Sequence, residues 1–487
     1  MSNVLTKLPT SNVSPRLAVI GGGISGLTAA YRLRQWLPRA EIELFEAGDR
    51  LGGVLHTRRD QGLLIECGAD SFFNQLPAAV ELCQELGLGE EIIPTNEEPR
   101  RALILHAGKL HRVPEGFVQM RPEKVGPMLR TRLLSWRGKL RLLAERWATS
   151  PTELANEDFD ESVASFATRR LGREVFERMV QPLLAGVYTA DPYRLSVAAT
   201  MPTAFEAERK YGSLIAKVMA DRKQASRDSG ARYGSFVTLR NGMAQLIDTL
   251  VSQLNDVKIH LNTPIKNLTP TADQRWSVSQ ASGNETLVDG VIVALPAPRA
   301  GALLASTDAE LSNKLQNIAY ASSAVAVLVY RREQISDPLD GFGMVVPTVE
   351  GRQIVAASYS SVKFPGRAPA DQVLIRVFVG GALQPELLER SDAEIVQLAQ
   401  AELSDILGIR GEPLRAELVR WNEKMPQYHV GHLQLVDRIE DLVSKHVGLE
   451  LAGNAYRGVG IPQCVQQANS AARRLAESFD LPSPSEG

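Results

Sequence analysis

The sequence predicts an α/β fold with an α+β portion: a parallel sheet with covering helices, a second mixed sheet and a helical insertion. Three observations carry that expectation. A glycine-rich turn joins an apolar strand to a helix near residue 21, a basic helical stretch covers 122–226, and strand patterns recur over 300–434. At 487 residues the chain exceeds what one hydrophobic core fills, so two or three domains are expected.

The apolar run Leu17, Ala18, Val19, Ile20 reads as a buried strand, and Gly21, Gly22, Gly23, Ile24, Ser25, Gly26 follow it as turn and helix start. Gly21 allows a tight turn, Gly23 lets a pyrophosphate approach the backbone, and Gly26 lets the helix sit close to the strand. The phosphates would lie at the helix N-terminus. A second strand over 41–46 ends in Glu46, 20 residues after Gly26, where an acceptor for ribose hydroxyls belongs. Arg50, Leu51, Gly52 and Gly53 add a second close-approach turn. Together these placements point to a bound dinucleotide.

Further along, Leu63, Leu64, Ile65 and Glu66 form a strand pattern that runs into Gly68, Ala69, Asp70 and Ser71, and 77–86 reads as a helix. Leu129, Leu133, Trp136, Leu140, Leu143 and Trp147 recur at helical spacing as one apolar stripe, beside Arg130, Arg132, Arg137, Lys139, Arg141 and Arg146, with Glu145 the lone acid. We favour a stripe packed on another helix with solvated arginines; contact with a membrane surface is the alternative. Strands are expected at 257–261 and 289–296, and then at 323–330, 343–346, 354–359 and 372–379 of a separate mixed sheet. The longest apolar run, 324–330, falls short of the roughly 18 residues a bilayer needs and reads as a buried strand. Finally, a strand over 447–452 leads through Asn454, Val459 and Gly460 to a helix starting at Ile461 with Pro462 in its first turn. Amides and a helix dipole there suit the negative edge of a reduced flavin, a need that a nicotinamide does not have.

Lys and Arg total 54 against 56 Asp and Glu, so charge gives no reason to propose a nucleic-acid partner. Cys67, Cys83 and Cys464 form no CxxC pair and read as small buried side chains in a reducing compartment. The seven histidines read as surface or capping groups, and no metal site is expected. The first sixteen residues lack an apolar signal core, so a cytoplasmic protein is expected, with peripheral membrane contact as the variant. The ends before Arg16 and after Leu481 read as loose tails.

These segments together resemble the FAD-dependent porphyrinogen oxidases of haem biosynthesis, within the flavin amine-oxidase superfamily. The stretches 181–192 and 453–462 carry the specific likeness, and the glycine turns carry the general one. The resemblance implies a Rossmann-like FAD domain assembled from 16–95, 230–298 and 440–480, a mixed-sheet substrate domain from 96–121 and 299–439, and a helical domain over 122–229. FAD contacts would come from Gly21 to Gly26, Glu46, Val54, Gly68, Ala69, Asp70, Ser71, Ile265 by its backbone, Trp421, Asn454, Val459, Gly460 and Ile461. Gly186, Val345 and Phe364 would line the substrate cavity.

The implied reaction removes six hydrogens from a porphyrinogen in three two-electron rounds, with O2 as the acceptor giving H2O2. It demands no dedicated acid or base, so no catalytic residue is assigned. In one departure from plant-type members, Ala102 stands where an arginine holds a substrate propionate; Arg100, Arg101 and Lys109 lie nearby, and Arg101 is the candidate replacement. That departure and the lack of a spanning segment lean toward coproporphyrinogen III over protoporphyrinogen IX. An amine oxidase or polyene desaturase of the same superfamily stays open, because the nucleotide motifs are shared, as does a flavin-binding protein acting only through partners.

Overall fold

The computed structural model describes residues 14–96, 101–118, 121–122, 124–224 and 236–479. Arg100 and both expected tails fall outside them, apart from Ser14 and Pro15 at the inner edge of the first tail. The expected parallel sheet has five strands in the order Val257–His260, Glu41–Phe45, Arg16–Ile20, Gly290–Val293, Leu449–Leu451. Its inner strands Arg16–Ile20 and Gly290–Val293 are almost wholly apolar because both faces are covered, while the flanking strands also carry Glu43, Lys258 and Glu450. Leu17 and Val19 point into a core shared with the helices Ile24–Trp36 and Ile461–Glu477. Ala18 and Ile20 point the other way, onto Trp276, the helix Ala297–Leu303 and the helix His432–Val443.

The second sheet has seven strands, in the order Arg415–Pro426, Tyr320–Arg331, Gln372–Gly380, Ala356–Tyr359, Gly343–Val345, Ala102–His106, Lys109–Arg112. All pairs are antiparallel except Gly343–Val345 against Ala102–His106, so the sheet is mixed as expected. The run 324–330 lies in the strand next to one edge, fully buried, with Val325, Val327 and Val329 on one face and Ala326, Leu328 and Tyr330 on the other.

Between 125 and 224 the chain is helical, but the apolar stripe is not one packed helix. It is divided among Val125–Arg130, Trp136–Leu143 and a short turn Ala144–Trp147. Leu133 alone of the stripe is buried, while Leu129, Trp136, Leu140, Leu143 and Trp147 are exposed, which corrects the packing we favoured. Leu134, Gly138, Leu142 and Glu145 take the core side instead. Arg170 satisfies the Glu145 charge inside that core. A π-helical turn, Phe176–Val180, precedes the helix Gln181–Tyr188, where Pro182 lacks the amide a regular ladder would use.

All three cysteines are buried. Burial pushes the Cys83 and Cys464 thiols up to about 12, which suits inert packing rather than redox chemistry. His432 corrects the surface reading of the histidines: it is 3% exposed.

Candidate functional site

In a parallel sheet, ligands bind beyond the carboxyl ends of the strands, and the predicted cofactor residues collect there. Gly21 has φ +109°, and a methyl on it would overlap the Ala294 carbonyl. A methyl on Gly26 would overlap the Gly21 carbonyl, so both glycines are required by the fold itself. Gly23 differs, because a methyl there would meet no protein atom within 4 Å. It begins the helix Ile24–Trp36, whose first turn has no side-chain cap. Open space beside uncapped amides is what a pyrophosphate requires.

Glu46 leaves the second strand and accepts hydrogen bonds from the Gly22 amide at 2.8 Å and the Gly48 amide at 2.7 Å. The Thr263 amide donates to the Glu46 carbonyl at 2.9 Å, which brings Ile265, two residues on, to the same end of the site. Gly52 donates its amide to the Gly22 carbonyl at 2.8 Å, so the two glycine turns touch. A methyl on Gly68 would overlap the Val54 carbonyl, which joins 68–71 to the second turn. Trp421 donates its indole N–H to the Cys67 carbonyl at 2.8 Å, beside that junction.

The second helix start mirrors the first. Gly460 begins Ile461–Glu477, again with no side-chain cap. The two helices lie side by side, tied by Arg32 donating to Asn469 at 2.9 Å and by Ser25 at the Cys464 thiol. Two positive helix ends therefore converge on one region, as a cofactor with a pyrophosphate and an anionic reduced ring needs. Asn454 precedes this start, and its carbonyl accepts a hydrogen bond from the Tyr428 hydroxyl at 2.6 Å.

Asp70 gains partners that its sequence neighbours do not foretell, because they come from the distant mixed sheet. Its carboxylate accepts from Lys363 Nζ at 2.9 Å and from Ser71 Oγ at 2.7 Å, and pairs with Arg376 at 3.3 Å. Arg376 is 2% exposed and also donates to the Gly68 carbonyl. Burial alone would raise the Asp70 carboxyl, but Lys363 and Arg376 outweigh it and hold it well below its ordinary 3.8. A depressed carboxyl contributes stability that is complete above its unfolded value and is lost as pH falls toward the folded one. Asp70→Asn is therefore expected to narrow the stability gap between pH 7 and pH 3 in melting curves, by about 1 kcal/mol.

Of the substrate candidates, Gly186 and Val345 are brought together: a methyl on Gly186 would touch Val345 Cγ1 at 3.4 Å. Val345 and Val459 both pack against the core of the helical insertion. Phe364 is 1% exposed, with Lys363 and Arg367 over its ring at 5.0 and 5.5 Å. Arg101 makes two hydrogen bonds to Asp340, at 2.8 and 2.9 Å, and Arg112 donates to the same carboxylate.

Comparison with known proteins agrees with this geometry. The model for flavin containing amine oxidoreductases matches residues 24–476. A coproporphyrinogen III oxidase of Bacillus subtilis is 32% identical over 468 residues, covering 95% of this chain and 98% of the relative. A protoporphyrinogen oxidase 2 of Arabidopsis thaliana is 29% identical over 485 residues, with 94% and 93% covered. A crystal structure from Exiguobacterium sp. 255-15, provisionally named protoporphyrinogen oxidase, superposes with a TM-score of 0.84 at 30% identity, covering 96% of this chain and 100% of that one. The chain therefore belongs to the flavin containing amine oxidoreductase family, in the group that includes the coproporphyrinogen and protoporphyrinogen oxidases, and its cofactor is FAD.

Proposed function

We propose that this enzyme oxidises a porphyrinogen to a porphyrin in haem biosynthesis, with coproporphyrinogen III preferred over protoporphyrinogen IX. The meeting of Gly186 and Val345, with Val459 packed on the same core of the helical insertion, carries the proposal. It joins the helical insertion and the mixed sheet in an apolar wall, on a core that the loop assigned to the flavin ring also touches, and such a wall suits a flat macrocycle better than a small amine. Arg101 and Arg112 share one Asp340, so one positive charge remains over for a substrate carboxylate.

In this reading the FAD domain is 16–95 with 230–298 and 440–480, the substrate domain 96–121 with 299–439, and the helical domain 122–229. Bound FAD takes two electrons per round, so removing six hydrogens takes three rounds. The two uncapped helix starts hold the cofactor, Gly186 and Val345 orient the ring and keep water away, and aromaticity drives the reaction without an assigned acid or base. With O2 as the acceptor, three O2 are consumed and three H2O2 appear per porphyrin, read with an oxygen electrode and a peroxide assay. Porphyrin formation without O2 uptake would assign the electrons to another acceptor.

The exposed stripe supports peripheral membrane contact. Trp136 is 66% and Trp147 79% exposed, among the exposed Arg130, Arg132, Arg137 and Arg146. No helix of the described residues is long and apolar enough to cross a membrane, so the contact would be interfacial. The protein is expected to sediment with phosphatidylglycerol vesicles and to release in high salt, and Trp136→Ser with Trp147→Ser is expected to weaken binding at least about tenfold. Equal recovery with and without vesicles would contradict the contact.

A further inference from the structure

One hydroxyl holds both ends of the loop that leads to the second helix start. Tyr428, 1% exposed, donates to the Asn454 carbonyl at 2.6 Å and accepts from the Gly458 amide at 2.9 Å. Gly458 has φ +125°, a conformation that costs most residues strain and needs a partner to fix it.

The tyrosine is itself fixed. Its ring stacks on His432 with centroids 3.9 Å apart and planes 13° apart. Burial lowers the His432 value to about 4, so the imidazole is neutral; facing a carbonyl that can only accept, Nε2 carries the proton and donates to Tyr456 O at 2.9 Å. The stacked pair thus binds the loop at 454, 456 and 458. Tyr428 also belongs to the core of the helical insertion, and its carbonyl accepts from the Ser196 amide at 2.7 Å. It lies just past the strand Arg415–Pro426, which carries Trp421 on the Cys67 carbonyl. One segment therefore clips both loops assigned to the flavin.

We propose that Tyr428 is a positioning residue which, with His432, sets the direction of the amides over 458–461 and through them the affinity and reduction potential of the flavin. The proposal rests on the assignment of this loop to the flavin ring. Without the hydroxyl the Gly458 amide and Asn454 carbonyl lose a buried partner, and the peptides between them turn to find others.

Tyr428→Phe keeps the ring, the stack and the volume. It is expected to raise the FAD dissociation constant of the apoprotein about tenfold, read by flavin fluorescence quenching, and to make the flavin potential more negative in a dye-equilibrated titration. Tyr330→Phe, at another buried tyrosine in the mixed sheet, is the control and is expected to change neither quantity. Should Tyr428→Phe fail to fold, His432→Phe keeps a stacked ring, removes only the bond to Tyr456, and is expected to shift both quantities in the same direction. Wild-type affinity and potential in the folded variant, even with a lowered melting temperature, would overturn the proposal. A wild-type protein that binds no FAD in the same titration would instead overturn the flavin assignment.

Discussion

Gly23→Val is expected to yield a folded protein that melts within a few degrees of wild-type apoprotein and binds FAD at least about 100-fold more weakly, or not at all. The two halves of that expectation come from one observation. No protein atom lies within 4 Å of a methyl on Gly23, so the added side chain does not disturb the fold; it takes the space beside the uncapped helix amides. Gly26→Ala is the contrasting variant, since its methyl would overlap the Gly21 carbonyl and force the helix off the strand. It is expected to lose stability by about 2 kcal/mol or more before any question of cofactor arises. Calorimetry of the two apoproteins separates the cases, and a yellow, FAD-loaded Gly23→Val protein would refute the placement of the pyrophosphate.

The largest expected loss of stability lies far from that turn, in the helical insertion. Glu145 and Arg170 are both 0% exposed. Glu145 accepts from Arg170, from Ser213 Oγ at 2.6 Å, and from the Leu214 and Ile215 amides at 2.9 and 3.2 Å, while Arg170 also donates to the Ala148 and Gly212 carbonyls at 2.9 and 2.7 Å. Glu145→Gln puts a donor among donors and leaves the buried guanidinium only its longer 3.4 Å contact with Glu208, a carboxylate already shared with Arg169. The expected cost is about 3–5 kcal/mol, seen as early melting and faster proteolysis within 125–224. Replacing both residues by leucine removes the charge problem and is expected to restore much of the loss. A Glu145→Gln protein as stable and as protease-resistant as wild type would show that this pair does not hold the insertion together.

The cofactor turns were legible because their chemistry is local: a strand, glycines with fixed tasks and an acid at a fixed distance. The partners of Asp70 were not, since Lys363 and Arg376 lie about 300 residues away in sequence and reach it only through sheet order. The strand Arg415–Pro426 has no apolar run or clean alternation and becomes a strand by pairing with Tyr320–Arg331. Spacing correctly put Leu129, Trp136 and Leu140 on helices, but it missed the break between Leu129 and Trp136 and cannot say which side the core takes, and Leu134, Gly138 and Leu142 took it. His432 did leave a signal: it shares a helix face with the buried Val436, Ile439 and Val443, which an isolated count of histidines overlooks.

Porphyrinogen oxidation is tested by aerobic turnover of purified, FAD-loaded protein with coproporphyrinogen III and protoporphyrinogen IX in parallel, followed by porphyrin fluorescence. Enzyme-dependent porphyrin is expected from both or from the first alone, faster with coproporphyrinogen III. Faster turnover of protoporphyrinogen IX would contradict the preference, and no porphyrin above the enzyme-free control from either substrate would contradict porphyrinogen oxidation itself.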